Sequence, residues 1–237
     1  MKKLLIVSLF VLGGCASPQS VNYTLAPVAE KLPTITPTSL TSTRSISYKL
    51  ERVTVPPQTD DLSLVVRDGS DRLLVLTYDR WTVPLSDEVT QALALALTDE
   101  MGMPPVQAGS SAAVKLPHND IQVEVRRFEM LPGQSANLSA SWFIKFSHAA
   151  KGGLKRTSNT SHSTVPSSAP KAVTVRKVAK VASLVISELT CFATFTHPAQ
   201  PGVLPLVQAQ QKNIQKLSQK IAQTLQTGRG VKGVVCQ

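Results

Sequence analysis

Hydrophobic and polar positions divide the chain into short alternating runs and two longer stretches with a helical stripe. Residues 48–55 have strand character and stop at Pro56-Pro57. Aliphatic runs at 62–67 and 73–77 flank Asp68-Gly69-Ser70-Asp71, and an Asp-Gly between such runs predicts a hairpin. Val89, Ala92, Leu93, Ala96 and Leu97 recur at the spacing of a helix with one apolar face. Ser86 is its expected N-cap, Asp87 and Glu88 complement the dipole in its first turn, and Gly102 and Pro104 end it. Ile121, Val123 and Val125 then alternate with Gln122 and Glu124, until Arg126 and Arg127 break the register before Phe128. Leu131-Pro132-Gly133-Gln134 reads as a turn, after which Leu138, Ala140, Trp142, Ile144 and Phe146 alternate again. These two segments predict an antiparallel pair, each with one buried face. Val207, Ile214, Leu217, Ile221 and Leu225 form a second helical stripe across 203–226, with Gln and Lys on the other face and Gly228 as its stop. The order of elements predicts an α+β fold, a mixed or antiparallel sheet with helices packed on one face.

The N-terminus follows a different pattern. Lys2 and Lys3 precede an apolar run at 4–12, too short for a bilayer core of roughly 30 Å. Residues 1–14 therefore read as a signal peptide. Leu12-Gly13-Gly14-Cys15 resembles the lipobox of bacterial lipoproteins, an aliphatic residue and two small ones before the modified cysteine. That resemblance implies a thioether-linked diacylglycerol on the Cys15 sulfur and a free α-amine able to carry a further acyl chain. Two or three chains make a durable anchor where one does not. Ala16 stands where Asp favours inner-membrane retention in enteric-type sorting, which points to the outer membrane and its periplasmic face. Residues 15–45 are rich in Ser, Thr and Pro and read as a lipidated tether, within which only Tyr23-Thr24-Leu25-Ala26-Pro27 stands out. A single periplasmic domain is expected over 46–227, with a flexible glycine-rich tail over 228–237.

The net charge of +10 suggests nucleic acid at first sight, but its distribution argues against it. Residues 149–202 hold Lys151, Lys155, Arg156, Lys171, Arg176, Lys177 and Lys180 against Glu188 alone, and Lys2 and Lys3 leave with the signal. No basic helix with interleaved aromatics and no zinc-knuckle spacing occurs, so nucleic acid is not an expected partner. A solvated basic loop that touches anionic headgroups or lipopolysaccharide fits better.

Catalytic patterns are missing. His118, His148, His162 and His197 are far apart and lack metal-ligand spacing. There is no Gly-x-Ser-x-Gly elbow and no phosphate-cradling glycine loop. Asp60 and Asp61 are neighbours that point apart and read as a solvated turn; Trp81 and Trp142 read as core anchors. Cys191 and Cys236 are able to pair in an oxidising compartment, while the glycine-rich setting of Cys236 argues against a stable bridge. The reading is non-enzymatic, with no cofactor beyond the covalent lipid on Cys15.

Taken in order, several pieces resemble the auxiliary lipoproteins of ABC-type transport systems, the paraquat-inducible protein C (PqiC) or YmbA type. They are the lipobox at Cys15, Tyr23-Thr24-Leu25, Val53-Thr54-Val55-Pro56, Arg80-Trp81 with Pro84-Leu85, the hairpin from Phe128 to Trp142 with Gly133, and Leu206-Val207-Gln208-Ala209. The resemblance covers about 1–148 and 203–227. It implies a domain on the periplasmic face of the outer membrane and homo-oligomeric rings. It also implies a periplasmic partner with MCE (mammalian cell entry) domains, PqiB-like, whose tunnels carry lipids between membranes. The alternative is a lipoprotein scaffold or activator of another cell-envelope complex. Residues 149–202 depart from the family pattern, which makes them an insertion or a stretch in altered reading frame. Thr157 to Ser168 reads as a disordered loop, and 173–189 as apolar enough for order.

Overall fold

The computed structural model describes residues 19–26, 46–69, 71–106, 117–147 and 186–237. The expected signal peptide, Cys15, most of the expected tether, His148, His162 and residues 149–185 lie outside the described residues. Eight strands and two α-helices are described, with a short 3-10 helix at Pro57–Thr59: β1 (Val21–Tyr23), β2 (Tyr48–Leu50), β3 (Ser63–Arg67), β4 (Leu73–Trp81), α1 (Leu85–Met101), β5 (Asn119–Leu131), β6 (Ser135–Ser147), β7 (Ile186–Pro198), α2 (Val203–Thr227) and β8 (Val235–Cys236).

The strands form two sheets. The smaller has the order β1-β4-β3 and the larger β2-β5-β6-β7-β8. Each is mixed, because β1 runs parallel to β4 and β2 parallel to β5, while the other pairs are antiparallel. This is the expected α+β class, with a single core. Alternation along the long strands explains it. Ile121, Val123 and Val125 of β5, Leu138, Ala140, Trp142 and Ile144 of β6, and Cys191, Ala193 and Phe195 of β7 all turn inward. The register shifts between Val125 and Arg127. That bulge places both arginines outward and returns Phe128 and Met130 to the core.

Against this face lies α2, through Leu206, Val207, Ile214, Leu217, Ile221 and Leu225, with α1 beside it presenting Val89, Ala92, Leu93 and Leu97. Both helices end on a left-handed glycine, Gly102 at φ 69° and Gly228 at φ 64°, a conformation that costs a residue with a Cβ. Trp142 is 1% exposed and its indole N–H donates to Thr224 Oγ1 at 3.2 Å. Trp81, equally enclosed, meets Phe128 edge to face with ring centroids 6.3 Å apart.

Three features differ from the sequence expectation. Folded structure is present ahead of residue 46, because β1 lies within the segment expected to be a tether. The last part of 149–202, the stretch expected to be an insertion or in altered frame, is a regular strand, β7, paired with β6 along its whole length. The tail is not free: β8 pairs Cys236 with Cys191, and the two form a disulfide. Thr190 and Gln237 exchange both backbone hydrogen bonds, at 3.0 and 2.9 Å. The adjacent cysteines therefore occupy the non-hydrogen-bonded position, where side chains approach most closely.

Candidate functional site

One motif of the resemblance lies where the N-terminal segment enters the domain. The Tyr23-Thr24-Leu25 motif lies between the small sheet and both helices. Tyr23 pairs with Trp81, its carbonyl accepts the Thr82 N–H at 3.1 Å, and its phenol donates to Asp79 Oδ1 at 2.9 Å. Burial, and then the Asp79 carboxylate, raise that phenol above its ordinary pKa. Leu25 is fully enclosed. Its N–H and the Thr24 hydroxyl both donate to Glu88 Oε2 at 2.9 Å, and the Thr82 hydroxyl donates to Glu88 Oε1. Gln211 of α2 donates its side-chain amide to the Thr24 carbonyl at 3.1 Å. Glu88 is 1% exposed. Read from sequence as a dipole-complementing residue of the first turn, it is the buried hub that holds the incoming chain to α1.

The start of α1 is held from elsewhere as well. Ser86, the expected N-cap, lies inside the helix, which begins at Leu85 with Pro84 before it and no side-chain cap from that residue. The Ser86 N–H donates instead to Asp60 Oδ1 at 2.9 Å, so a residue expected in a solvated turn caps the helix from a distant loop. Asp61 turns the other way and accepts the Ser63 N–H, which lowers its carboxyl below the ordinary range. Arg52 pairs with Asp87 at 2.9 Å and donates to Ser86 Oγ. The Val53-Thr54-Val55 motif ties α1 to β5: the Val53 N–H donates to Thr90 Oγ1 at 3.0 Å, and Thr54 bridges Glu124.

A second polar cluster sits within the apolar stripe of α2. Gln210 and Asn213 are fully buried. Gln210 donates to the Glu129 and Asn137 carbonyls, and Asn213 to that of Ala136. His197 Nδ1 lies 2.6 Å from Asn213 Oδ1, which assigns its proton to that nitrogen. These groups fasten helix to sheet and leave His197 a structural partner. His118 stands apart, 3.4 Å from Asp120. Among the described residues no group of three or more His, Cys, Asp or Glu could hold a metal ion, and no helix is long and apolar enough to cross a membrane. The outer face of the large sheet bears Gln122, Glu124, Phe143 and Thr190 around a shallow groove of about 590 Å³.

This geometry is that of an α+β domain whose N-terminal entry is clamped at Tyr23-Thr24-Leu25 and whose polar clusters serve packing. The chain belongs to the family described as ABC-type transport auxiliary lipoprotein component, whose model matches residues 23–222. No match is found among the curated proteins. A crystal structure of an uncharacterised protein is similar in fold, with TM-score 0.55 at 13% identity over 88% of this chain and 99% of that one. A crystal structure of a protein from Xanthomonas campestris aligns over 78% of this chain and 86% of its own, at 14% identity and TM-score 0.48.

Proposed function

We propose that this chain is an outer-membrane lipoprotein subunit of an intermembrane lipid-transport system of the MCE, Pqi-like type. Lipid on Cys15 holds it to the membrane, and the domain docks a periplasmic MCE partner there. It performs no chemistry of its own. The observation that carries the reading is the family match over 23–222 directly behind a lipobox. The clamp on Tyr23-Thr24-Leu25 supports it, because it ties the domain to the segment that leaves Cys15.

The test has two parts. Cys15→Ala is expected to leave the membrane fraction and to lose the lipid mass on its N-terminal peptide, with the domain still folded by circular dichroism. The unaltered protein, crosslinked in envelopes and purified through a C-terminal tag, is expected to bring down an MCE-domain or ABC transport component. Recovery of a penicillin-binding protein in its place would overturn the transport role in favour of a cell-wall scaffold.

A further inference from the structure

The small sheet ends in apolar residues that the domain leaves uncovered. Successive side chains on a strand point to opposite faces, and one face normally packs on the core. Leu73, Leu74 and Val75 of β4 are consecutive, yet they are 41%, 43% and 65% exposed. Both faces of the strand are therefore partly open there among the described residues. Leu204, in the first turn of α2, is 54% exposed and belongs to the same end of the molecule. A Cβ added to Gly69, in the β3–β4 turn, would lie 3.5 Å from the Gln134 side chain of the β5–β6 turn. One added to Gly133 would lie 3.5 Å from Pro201, just ahead of α2. Tyr78, also half exposed, lies on the Leu74 face of β4, and Val21, level with Asp79, on the face of Leu73 and Val75.

The route of the N-terminal chain says what meets this end. Val21 pairs with Asp79 and Tyr23 with Trp81, in parallel. The direction of β1 at Val21 points back toward the Leu73 end of β4. Five residues separate Val21 from Cys15, a reach of at most about 20 Å at roughly 3.5 Å per residue. Leu73 precedes Asp79 by a comparable length of strand, about 20 Å at roughly 3.3 Å per residue. An anchor at Cys15 is therefore within reach of the level of the uncovered end.

We propose that this end, Leu73–Val75 with Leu204 and Tyr78, is a membrane-contact surface. It rests in the interfacial region of the bilayer that holds the lipid on Cys15, and so depends on the lipoprotein reading. An aliphatic wedge with a tyrosine above it suits that region, apolar below and wet above. It gives the domain a second attachment, and hence one orientation, in place of free rotation on its tether.

The test uses the full lipidated protein in phosphatidylethanolamine–phosphatidylglycerol vesicles. Val75→Cys carries an environment-sensitive fluorophore, and Leu95→Cys, an exposed position on α1, carries the same dye for comparison. With Cys15 acylated and Cys191 bonded to Cys236, the introduced thiol is the one labelled. The label at 75 is expected to shift to the blue and to be quenched by doxyl groups on the lipid tails, while that at 95 keeps its aqueous emission. Equal, unquenched emission at both positions in vesicle-bound protein would overturn the contact surface and leave the anchor standing. A blue shift at 75 without quenching by the lipid would assign the surface to a protein neighbour, a second copy included, and overturn it too. Protein that lacks the lipid mass on Cys15 and does not float with vesicles would overturn anchor and surface together.

Discussion

Leu25 donates its backbone N–H to Glu88, 63 residues further along the chain, in a buried contact. Two hydroxyls share the same carboxylate. Removing the acceptor leaves a buried donor unpaired, the costly side of the hydrogen-bond balance. Glu88→Ala is expected to lose about 2–4 kcal/mol in urea unfolding, and Glu88→Gln roughly half of that. In Glu88→Ala the segment around Ala26 should also become open to limited proteolysis before the rest of the domain unfolds. A variant as stable and as resistant as the parent would remove Glu88 from its place as the hub.

Asp60 and Ser86 offer a milder test of the same region. Asp60→Ala removes the acceptor of an otherwise orphan helix N–H, and loss of such a cap costs about 1 kcal/mol. Asp60→Asn keeps an acceptor oxygen and should recover most of that loss. Thermal unfolding of the two variants side by side checks the ordering.

The Cys191–Cys236 bridge spans a sequence separation of 45, and closing a loop of that size stabilises a chain by about 4 kcal/mol in the entropic account. Cys236→Ser is expected to lose about 2–4 kcal/mol, with deuterium exchange at Thr190 and Gln237 rising first. A reductant should lower the melting temperature of the parent protein and leave that of Cys236→Ser unchanged.

Alkaline stability should depend on Tyr48. Its phenol is wholly enclosed and donates to the Met103 carbonyl at 2.9 Å, and burial pushes its pKa up to about 12. The folded state holds the proton more tightly than the unfolded chain. The stability linked to that proton is complete below about pH 10 and is lost as pH rises through about 12. The loss should be roughly 2–3 kcal/mol, and Tyr48→Phe should flatten it. Urea midpoints at pH 9 and pH 11.5 for the two proteins give the comparison.

Much of the fold was legible because periodicity is a local signal. The α1 and α2 stripes, the β3–β4 and β5–β6 hairpins and the register break at Arg126-Arg127 all lie where alternation and turn residues put them. What escaped depends on contacts distant in sequence. The three residues of β1 are too few to show a period, and its partner lies 58 positions downstream. Nothing near Asp60 marks it as the cap of a helix that begins at Leu85. Gln210 and Asn213 look like members of a polar face, yet face the β5–β6 end of the sheet, where backbone carbonyls accept from them. β7 does alternate, with Cys191, Ala193 and Phe195 inward and Phe192, Thr194 and Thr196 outward. Its signal was masked by the basic, proline-containing run before it. The site residue singled out from sequence, Cys15, lies outside the described residues, and the clamp that receives its chain is visible only in three dimensions.

The parallel pairing of β1 with β4 has a mechanical consequence. A pull on the N-terminus runs along the strand axis, so the β1–β4 hydrogen bonds, the Tyr23–Asp79 contact and the grip of Glu88 are loaded together rather than peeled one by one. Tension applied through the N-terminal chain is thus delivered in shear to the middle of the small sheet and from there to α1. A three-residue strand becomes a strain relief, able to transmit force to the whole domain while the weak ends of the sheets stay slack.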